Sequence, residues 1–212
     1  ALDRDARIKL SIGTKKAGYT DGLFYDPLGL AFDHRRGFLL VVDKENHRVQ
    51  VFSCDDDDGG SFVSKFGEKG NQPGQFLSQW DIAIDHDHDR ILVVDCFNHR
   101  VQSWSLSEQS FLSCIGHRGS RDLEFDHPQG IAIDKHHRRI IIVDTNNDRL
   151  VFLSSIDLSF LFKIGKQGSQ PGEFIRPIGI AIDDDRHRII VADTLNHRVQ
   201  VLSLIDGSFL FE

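Results

Sequence analysis

The amino-acid sequence predicts an all-β protein built from four repeats, each a meander of four short antiparallel strands. The first observation is the string VVDKENHRVQVF at residues 41–52, which returns as VVDCFNHRVQSW, IVDTNNDRLVFL and VADTLNHRVQVL. The aspartates shared by these strings are separated by 52, 49 and 49 residues. Between them, Val, Ile and Phe fill short runs that alternate as strands do, and no long stretch has a helical period. One structural unit therefore recurs along the chain.

Each repeat contains four β-like runs separated by turn signals, always in the same order. The first run reads GLAFD, DIAID, GIAID and GIAID, and the second reads FLLVVD, RILVVD, RIIIVD and RIIVAD. The third reads HRVQVF, HRVQSW, DRLVFL and HRVQVL, and the fourth reads SFVSKFG, SFLSCIG, SFLFKIG and the shorter SFLFE. Within a single domain, residues 1–212, we place the repeats approximately at 23–67, 76–116, 125–165 and 174–212.

Serial meanders of four strands form the blades of a β-propeller, because a lone twisted blade needs neighbours to cover both of its faces. The string RIKLSIG at residues 7–13 aligns with the fourth run of the repeats, so it predicts an outer strand of a preceding or closing blade. These strands fit four blades of a larger propeller. The alternative is a closed four-bladed ring, sealed by pairing residues 7–12 beside residues 207–211.

The turn that follows the second run contains Asp43, Asn46, His47 and Arg48 in the first repeat. Here the aspartate can accept backbone hydrogen bonds, Asn46 tolerates left-handed dihedrals, and Arg48 can reach a carboxylate or carbonyl of an adjoining blade. A catalytic site is needed once, whereas this set occurs four times and has Asp148 in place of histidine in the third copy. We therefore predict a structural turn and no catalytic residues.

The recurrent Pro-x-Gly-Ile-Ala-Ile-Asp, followed by Val-Val-Asp-x-x-Asn-His-Arg-Val-Gln-Val, resembles the NHL-repeat family of β-propellers over nearly the whole chain. The second repeat departs from the pattern with Gln79-Trp80-Asp81 in place of Pro-x-Gly, and the third with Asn147-Asp148 in place of Asn-His. The resemblance implies a propeller of more than four blades. It also implies a recognition domain, since NHL propellers occur in multidomain proteins such as tripartite-motif ubiquitin ligases, where they choose the substrate.

In a meander, the repeated turns and the long loops between repeats lie at the same end of the blades, so we expect one loop-rich face. The residue just ahead of the inner strand and the variable turn positions on this face include large apolar side chains, which are typical of a partner surface. The predicted partner-binding residues are Leu28, Trp80, Phe97, Gln129, Ile178 and Leu195.

Composition and motifs argue against several classes of function. The formal charge of −7 includes four acids at residues 55–58, and the nearly balanced remainder does not favour binding to DNA. No apolar stretch is long enough to span a membrane. The three cysteines lack CxxC spacing and predict a reducing, cytoplasmic setting.

Motifs for metal or cofactor binding are also missing. The string DHDHDR at residues 85–90 has arginine where an EF-hand loop needs glycine, so we read it as a charged hairpin. The glycine-rich loops lack the pattern that cradles phosphates. We therefore expect no metal site and no cofactor.

The sequence thus predicts a non-catalytic module that presents one loop face to a protein partner, and the resemblance implies two alternatives. Some NHL propellers bind RNA through a basic face, and here Arg48, Arg100, Arg149 and Arg198 could supply the charge. The less favoured alternative is a metal-dependent lyase. Propellers of that kind hold a metal in the central channel and use disulfides, which aliphatic inner strands and an odd cysteine count do not favour.

Overall fold

The computed structural model describes residues 11–54 and 60–212 and shows an all-β fold of four antiparallel four-stranded sheets. Within each sheet the strands lie in chain order, so each one hydrogen-bonds to the next along the sequence. The predicted fold class and the four meanders are confirmed, and the meanders are the blades of a propeller. Within the described part of the chain, no helix has the length and hydrophobicity that crossing a membrane requires.

Blades 1 and 2 are joined by a loop that contains a short parallel pair, β5 and β6. The strands as far as the end of blade 2 are β1 (Pro27–Asp33), β2 (Phe38–Asp43), β3 (Arg48–Ser53), β4 (Ser61–Phe66), β5 (Glu68–Lys69), β6 (Gln75–Phe76), β7 (Gln79–Asp85), β8 (Arg90–Asp95), β9 (Arg100–Ser105) and β10 (Phe111–Ile115).

Blades 3 and 4 repeat the same order. Their strands are β11 (Ile131–Asp134), β12 (Arg139–Asp144), β13 (Arg149–Ser154), β14 (Phe160–Ile164), β15 (Pro177–Asp183), β16 (Arg188–Asp193), β17 (Arg198–Ser203) and β18 (Phe209–Phe211). A short 3₁₀ turn joins the second and third strands of every blade, at Lys44–Asn46, Cys96–Asn98, Thr145–Asn147 and Thr194–Asn196.

We call the end of the blades that carries these 3₁₀ turns the corner face. The loops between blades, such as residues 67–78, lie at the same end because a meander reverses direction at each strand. In blade 2, the side-chain amide of Asn98 donates to the carbonyl of Gly70 in that loop, at 2.9 Å. The prediction that turns and loops share one face is confirmed.

Apolar side chains fill three interfaces, one between each pair of successive blades. In β8, Ile91 and Val93 pack against blade 1, whereas Leu92 and Val94 pack against blade 3. Successive side chains of a strand point to opposite faces, so a single strand serves two interfaces. This double burial explains why the second strand of each repeat is a continuous apolar run.

Blades 1 and 4 each present a face that no described blade covers. Leu30 in β1 is 60% exposed, whereas Ile82, its equivalent in blade 2, is 4% exposed. Val199 in blade 4 is 51% exposed, whereas its equivalent Leu150 in blade 3 is fully buried. Among the described residues, the apolar clusters join blades 1 to 2, 2 to 3 and 3 to 4, and none joins blade 4 to blade 1.

The outer strand expected at residues 7–13 lies mostly outside the described residues, which begin at residue 11. Residues 11–13 belong to no strand, and the only described strand that pairs with β18 is β17. The seal of a closed four-bladed ring, pairing residues 7–12 with residues 207–211, therefore finds no support in the part of the chain that is described.

In blades 1, 2 and 3, the residue that follows the 3₁₀ turn links its blade to the next one. His99 accepts a hydrogen bond at Nδ1 from the backbone N–H of His127 in blade 3, at 3.1 Å. At the next seam, Asp148 accepts at Oδ1 from the backbone N–H of Arg176, at 2.7 Å. Histidine and aspartate both offer an acceptor at this position, so the exchange in the third repeat preserves the link.

The left-handed residue of the turn is the histidine and not the asparagine. His47 has φ 53°, whereas Asn46 lies within the 3₁₀ turn. The side-chain amide of Asn46 donates to Asp43 Oδ2 and to the carbonyl of Gly18, at 2.8 Å in each case. The expectation that Asn46 would be left-handed is wrong, because its side chain holds the carboxylate and the loop together.

A glycine contact beneath the corner face gives a test of the packing. Gly116 follows β10 with φ +99°, and a β-carbon there would lie 2.4 Å from Cδ2 of buried Phe125. Gly172 is also left-handed, at φ +78°, but has open space around it. We expect Gly172→Ala to cost about 1–2 kcal/mol through the backbone alone. Gly116→Ala should cost more, because the added methyl group also displaces an aromatic ring.

Urea unfolding of the two variants measures this difference in the free energy of unfolding. Equal losses in the two variants would show that the Gly116–Phe125 approach adds nothing to the backbone requirement.

Candidate functional site

A buried aspartate carboxylate organises each corner, as blade 2 illustrates. Asp95 is fully buried. Its Oδ1 accepts a hydrogen bond from the backbone N–H of Leu77, at 2.8 Å. Its Oδ2 accepts from Asn98 Nδ2 at 2.9 Å, from Arg100 Nε at 2.7 Å and from Gln102 Nε2 at 3.0 Å. Burial raises the pKa of Asp95, and the hydrogen bonds and the Arg100 charge oppose that rise.

The arginine of the corner is turned inward, onto the loop that leads into its own blade. Arg100 donates from its two terminal nitrogens to the carbonyls of Asn71 at 3.0 Å, Gln72 at 2.9 Å and Gln75 at 2.7 Å. The expectation that this arginine reaches an adjoining blade is therefore wrong. It binds a carboxylate in its own blade and closes the loop above it.

The other three corners repeat this ion pair. Their Nε–Oδ2 distances are 2.8, 2.7 and 2.8 Å for Arg48–Asp43, Arg149–Asp144 and Arg198–Asp193. Arg48, Arg100 and Arg149 are buried, and Arg198 is half-buried. RNA binding through these four residues stays a prediction, to which their inward orientation lends no support, since their donors are used within the protein.

Four of the predicted partner-binding residues converge where the inner strands of the four blades begin. Leu28, Trp80, Gln129 and Ile178, one from each blade, line a depression of about 220 Å³. We call it the axial pocket. Its remaining lining residues, one beside each of the four, are Gly29, Asp81, Gly130 and Gly179.

Trp80 also lines a second concavity on the corner face, between blades 1 and 2. This groove has a volume of about 250 Å³, and Phe97, which is 52% exposed, forms part of its wall. Lys44 Nζ lies 5.4 Å from the centroid of the Trp80 ring. Leu195 is exposed on the 3₁₀ turn of blade 4 and lines neither concavity.

Two polar atoms of the axial pocket residues are buried without a hydrogen-bond partner among the described residues. They are the indole Nε1 of Trp80, a donor, and the side-chain oxygen of Gln129, an acceptor. Leaving a buried polar group unpaired costs about 1–3 kcal/mol. Both atoms belong to predicted partner-binding residues.

Comparison with known proteins gives the family. Matches to a family model described as a 6-bladed beta-propeller cover residues 32–126 and 120–212, which is most of the chain. The chain belongs to this 6-bladed beta-propeller family. The predicted propeller is thus confirmed at the level of family, and the finer resemblance to NHL repeats stays a prediction.

Among curated proteins, this propeller is similar to Protein SUPPRESSOR OF QUENCHING 1, chloroplastic, of Arabidopsis thaliana, at 26% identity over 105 residues. The matched segment is 44% of this chain and 10% of that protein. The chain therefore spans about a tenth of the length of the curated relative it matches.

The departure of the second repeat from Pro-x-Gly has two structural consequences. Asp81 accepts hydrogen bonds from its own neighbour Ile82 N–H at 2.9 Å and, across the seam, from Ile131 N–H at 3.0 Å in blade 3. Gln79 donates from Nε2 to the carbonyl of Arg48 in blade 1, at 2.8 Å. Sequence reasoning noted the lost proline and glycine but did not assign these two residues a role, although their departure from the repeat was the available signal.

The hairpin at residues 85–90 is held by contacts between its own charged side chains. In the hairpin at residues 85–90, His88 Nδ1 lies 2.9 Å from Asp85 Oδ2, and Arg90 donates to the same oxygen at 2.8 Å. The arginine supplies the charge that a cation would otherwise provide.

Cys54, Cys96 and Cys114 are free thiols. Burial raises the pKa of Cys96 to about 12. The acidic run at residues 55–58 lies outside the described residues.

The corner ion pair gives a test of stability in blade 3. Arg149 donates to Asp144 and to the carbonyls of Ser120, Arg121 and Glu124. We expect Arg149→Ala to cost about 3–5 kcal/mol, because it leaves a buried carboxylate without its charge partner.

Lys163→Ala is the matched control, because Lys163 forms an ion pair at 2.9 Å with Asp122 between two exposed side chains. Its loss should cost about 0–1 kcal/mol. Chemical denaturation of both variants measures their losses in free energy of unfolding. A small loss for Arg149→Ala would show that the corner ion pair does not stabilise the fold.

Asp81 gives a test that depends on pH. Burial raises its pKa above the ordinary value of 3.8, against the two backbone hydrogen bonds. The folded state therefore holds this proton more tightly than the unfolded chain does, so the contribution of Asp81 to stability is full below pH 3.8 and falls as the pH rises through its folded pKa. Asp81→Gly restores the glycine that the other repeats carry. We expect its free energy of unfolding, relative to that of wild type, to be higher at neutral pH than at pH 3.5.

Denaturant unfolding at both pH values provides the measurement, with Asp87→Ala at an exposed position as the control. A difference between wild type and Asp81→Gly that is the same at both pH values would contradict the perturbed titration.

Proposed function

We propose that this propeller is a non-catalytic binding module that recognises a protein partner on its corner face. The observation that carries the proposal is the position of Trp80, which lines both the axial pocket and the groove between blades 1 and 2. Large aromatic side chains in concave, partly desolvated positions are the usual anchors of protein interfaces. The blades themselves supply a rigid frame around this residue.

The chemistry of the face favours an extended peptide segment as the ligand. Trp80 and Gln129, which line the axial pocket, each carry a buried polar atom without a partner among the described residues, an indole donor and an amide acceptor. In an opened pocket these groups would match the carbonyl and N–H groups of a peptide backbone. The groove combines apolar rings with Lys44, Glu45 and Lys69, so a side chain of either charge finds a complement at its rim. Small polar metabolites would leave the Trp80 and Phe97 rings unused.

Two features support a larger assembly around these four blades. The family is described as 6-bladed, and blades 1 and 4 each have an apolar face that no described blade covers. Because the sequence resembles NHL repeats, we extend the proposal to a substrate-recognition propeller within a multidomain protein, as in the tripartite-motif ubiquitin ligases.

RNA binding is the competing proposal, and it would rely on other residues than the corner arginines. Exposed basic side chains on the described loops of the corner face include Lys15, Lys16, Lys69, Arg118 and Lys166. Binding through them would be electrostatic and would weaken steeply with added salt.

The partner proposal predicts that Trp80→Ala combined with Phe97→Ala abolishes binding to peptides selected on the wild-type protein. A random peptide library displayed on phage supplies the ligands, and fluorescence anisotropy with the selected peptides measures affinity. We expect a loss of at least about 2 kcal/mol in binding free energy. The melting temperature should change little, because Trp80 is half-buried and Phe97 is exposed.

Ile156→Ala is the control, because Ile156 is 60% exposed in the β13–β14 hairpin, away from the corner face. It should bind the selected peptides as wild type does. Peptides that bind all three proteins equally would show that recognition occurs elsewhere. Salt-sensitive binding of single-stranded RNA, with no peptide selected, would replace the proposal with its competitor.

A further inference from the structure

The seam between blades 2 and 3 brings together three side chains that can ligate a metal ion. His99 follows the 3₁₀ turn of blade 2, and Asp126 and His127 lie in the loop that leads into blade 3. Their ligand atoms all lie within 4.8 Å of one another. His127 Nδ1 is 2.6 Å from Asp126 Oδ1, and His99 Nδ1 is 3.6 Å from the same oxygen.

This trio is peculiar to one seam, although the backbone around it is common to all of them. The position of Asp126 is occupied in the other repeats by Tyr25, Leu77 and Ile175, and each of these four residues donates its backbone N–H to the corner aspartate at 2.7 or 2.8 Å. The fold therefore uses only the main chain here. The carboxylate of Asp126 is additional to what the corner needs.

The same holds for the second ligand in the loop. His127 has φ 49° and Ser78, its equivalent in blade 2, has φ 54°. Both donate their backbone N–H to the histidine of the preceding corner. The imidazole of His127 is thus free of any role in that link, and it packs edge to face against the His99 ring with centroids 4.5 Å apart.

Two imidazoles and one carboxylate form a ligand set that suits Zn²⁺ and related divalent transition ions. Such ions bind these atoms at about 2.0–2.2 Å, so ligand atoms around one ion lie roughly 3.2–3.6 Å apart. The 3.6 Å separation fits, but His99 Nδ1 also accepts the backbone N–H of His127, so an ion bound at this atom takes the place of that hydrogen bond. The 2.6 Å contact is a hydrogen bond that opens when the ion replaces the shared proton. Three neighbouring groups also contact the trio, and one of them is the Phe97 ring, which packs edge to face against His127 with centroids 5.3 Å apart. Asn146 Nδ2 lies 3.0 Å from His127 Nδ1, and the exposed Arg118 has Nε at 3.9 Å from Asp126 Oδ2.

We propose that His99, Asp126 and His127 bind one Zn²⁺ ion that bridges blades 2 and 3 at the corner face. The ion replaces the hydrogen bond from His127 N–H to His99 Nδ1 with coordinate links across the seam. Its remaining coordination positions are filled by water. The proposal departs from the sequence expectation of no metal site, and it does not depend on the binding of a protein partner.

The repeat itself supplies the variants that test the site. His127→Ser and Asp126→Leu each install the residue that the equivalent loop of blade 2 carries, so both should fold and keep the backbone links. The control is His88→Gln, which alters the histidine–aspartate pair in the hairpin of blade 2, where His88 Nδ1 lies 2.9 Å from Asp85 Oδ2.

Isothermal titration of the EDTA-dialysed chain with Zn²⁺ measures stoichiometry and affinity. We expect one ion per chain for wild type and His88→Gln, and affinity weakened at least about tenfold in each of the two variants. Zn²⁺ should raise the melting temperature of wild type and not of the variants, because the ion binds the folded state. Titration with Co²⁺ should give visible absorption bands in wild type that both variants lose.

Two results would contradict the proposal. Unchanged Zn²⁺ affinity in His127→Ser would place any bound ion elsewhere and overturn the proposal, as would the absence of binding by wild type at micromolar Zn²⁺. Melting in EDTA reports whether each variant is folded, and either variant alone decides the question.

Discussion

Every blade depends on a buried aspartate carboxylate at the end of its second strand. Asp43, Asp95, Asp144 and Asp193 are fully buried, and each one joins a 3₁₀ turn, a third strand and an incoming loop. Burying an ionised carboxylate is tolerable only when its lone pairs are satisfied and its charge is matched. The asparagine, the arginine and a loop N–H meet that requirement together, and for this reason they occur as a set. The loops of the corner face are held in place by this set.

The seams between blades combine an apolar interior with polar contacts at both ends. At the corner face, the residue after the 3₁₀ turn accepts a backbone N–H from the next blade, whether it is His99 or Asp148. At the opposite end, Arg36 donates to the carbonyl of Leu106, at 2.8 Å. Arg90 and Arg139 make the equivalent contacts with carbonyls of Ser155 and Leu204. These directional bonds set the register of one blade on the next, which non-directional apolar packing alone does not specify.

The side chains that distinguish one blade from another lie where the sequence departs from the repeat. Blade 2 replaces Pro-x-Gly with Gln79-Trp80-Asp81, and these residues link blades 1 and 3 to blade 2 while placing an indole at the axial pocket. The loop leading into blade 3 replaces an apolar residue with Asp126 and adds His127 beside it. Both departures lie on the corner face, the first within blade 2 and the second in the loop that leads into blade 3. A regular scaffold thus concentrates its distinctive side chains around one sector of that face.

The sequence by itself determined the four meanders, the strand order and the shared end of turns and loops, because alternation, turn residues and a fixed repeat length act locally. It also brought Leu28, Trp80, Gln129 and Ile178 to one place, since equivalent positions of a propeller converge on its axis. Tertiary structure alone decided which partners meet across a seam, as with Asp81 and Ile131, which are 50 residues apart. It also decided that the corner arginines are buried and that His99 meets Asp126 and His127. Contacts between blades depend on how two sheets stack and twist, and no local pattern in the chain encodes that geometry.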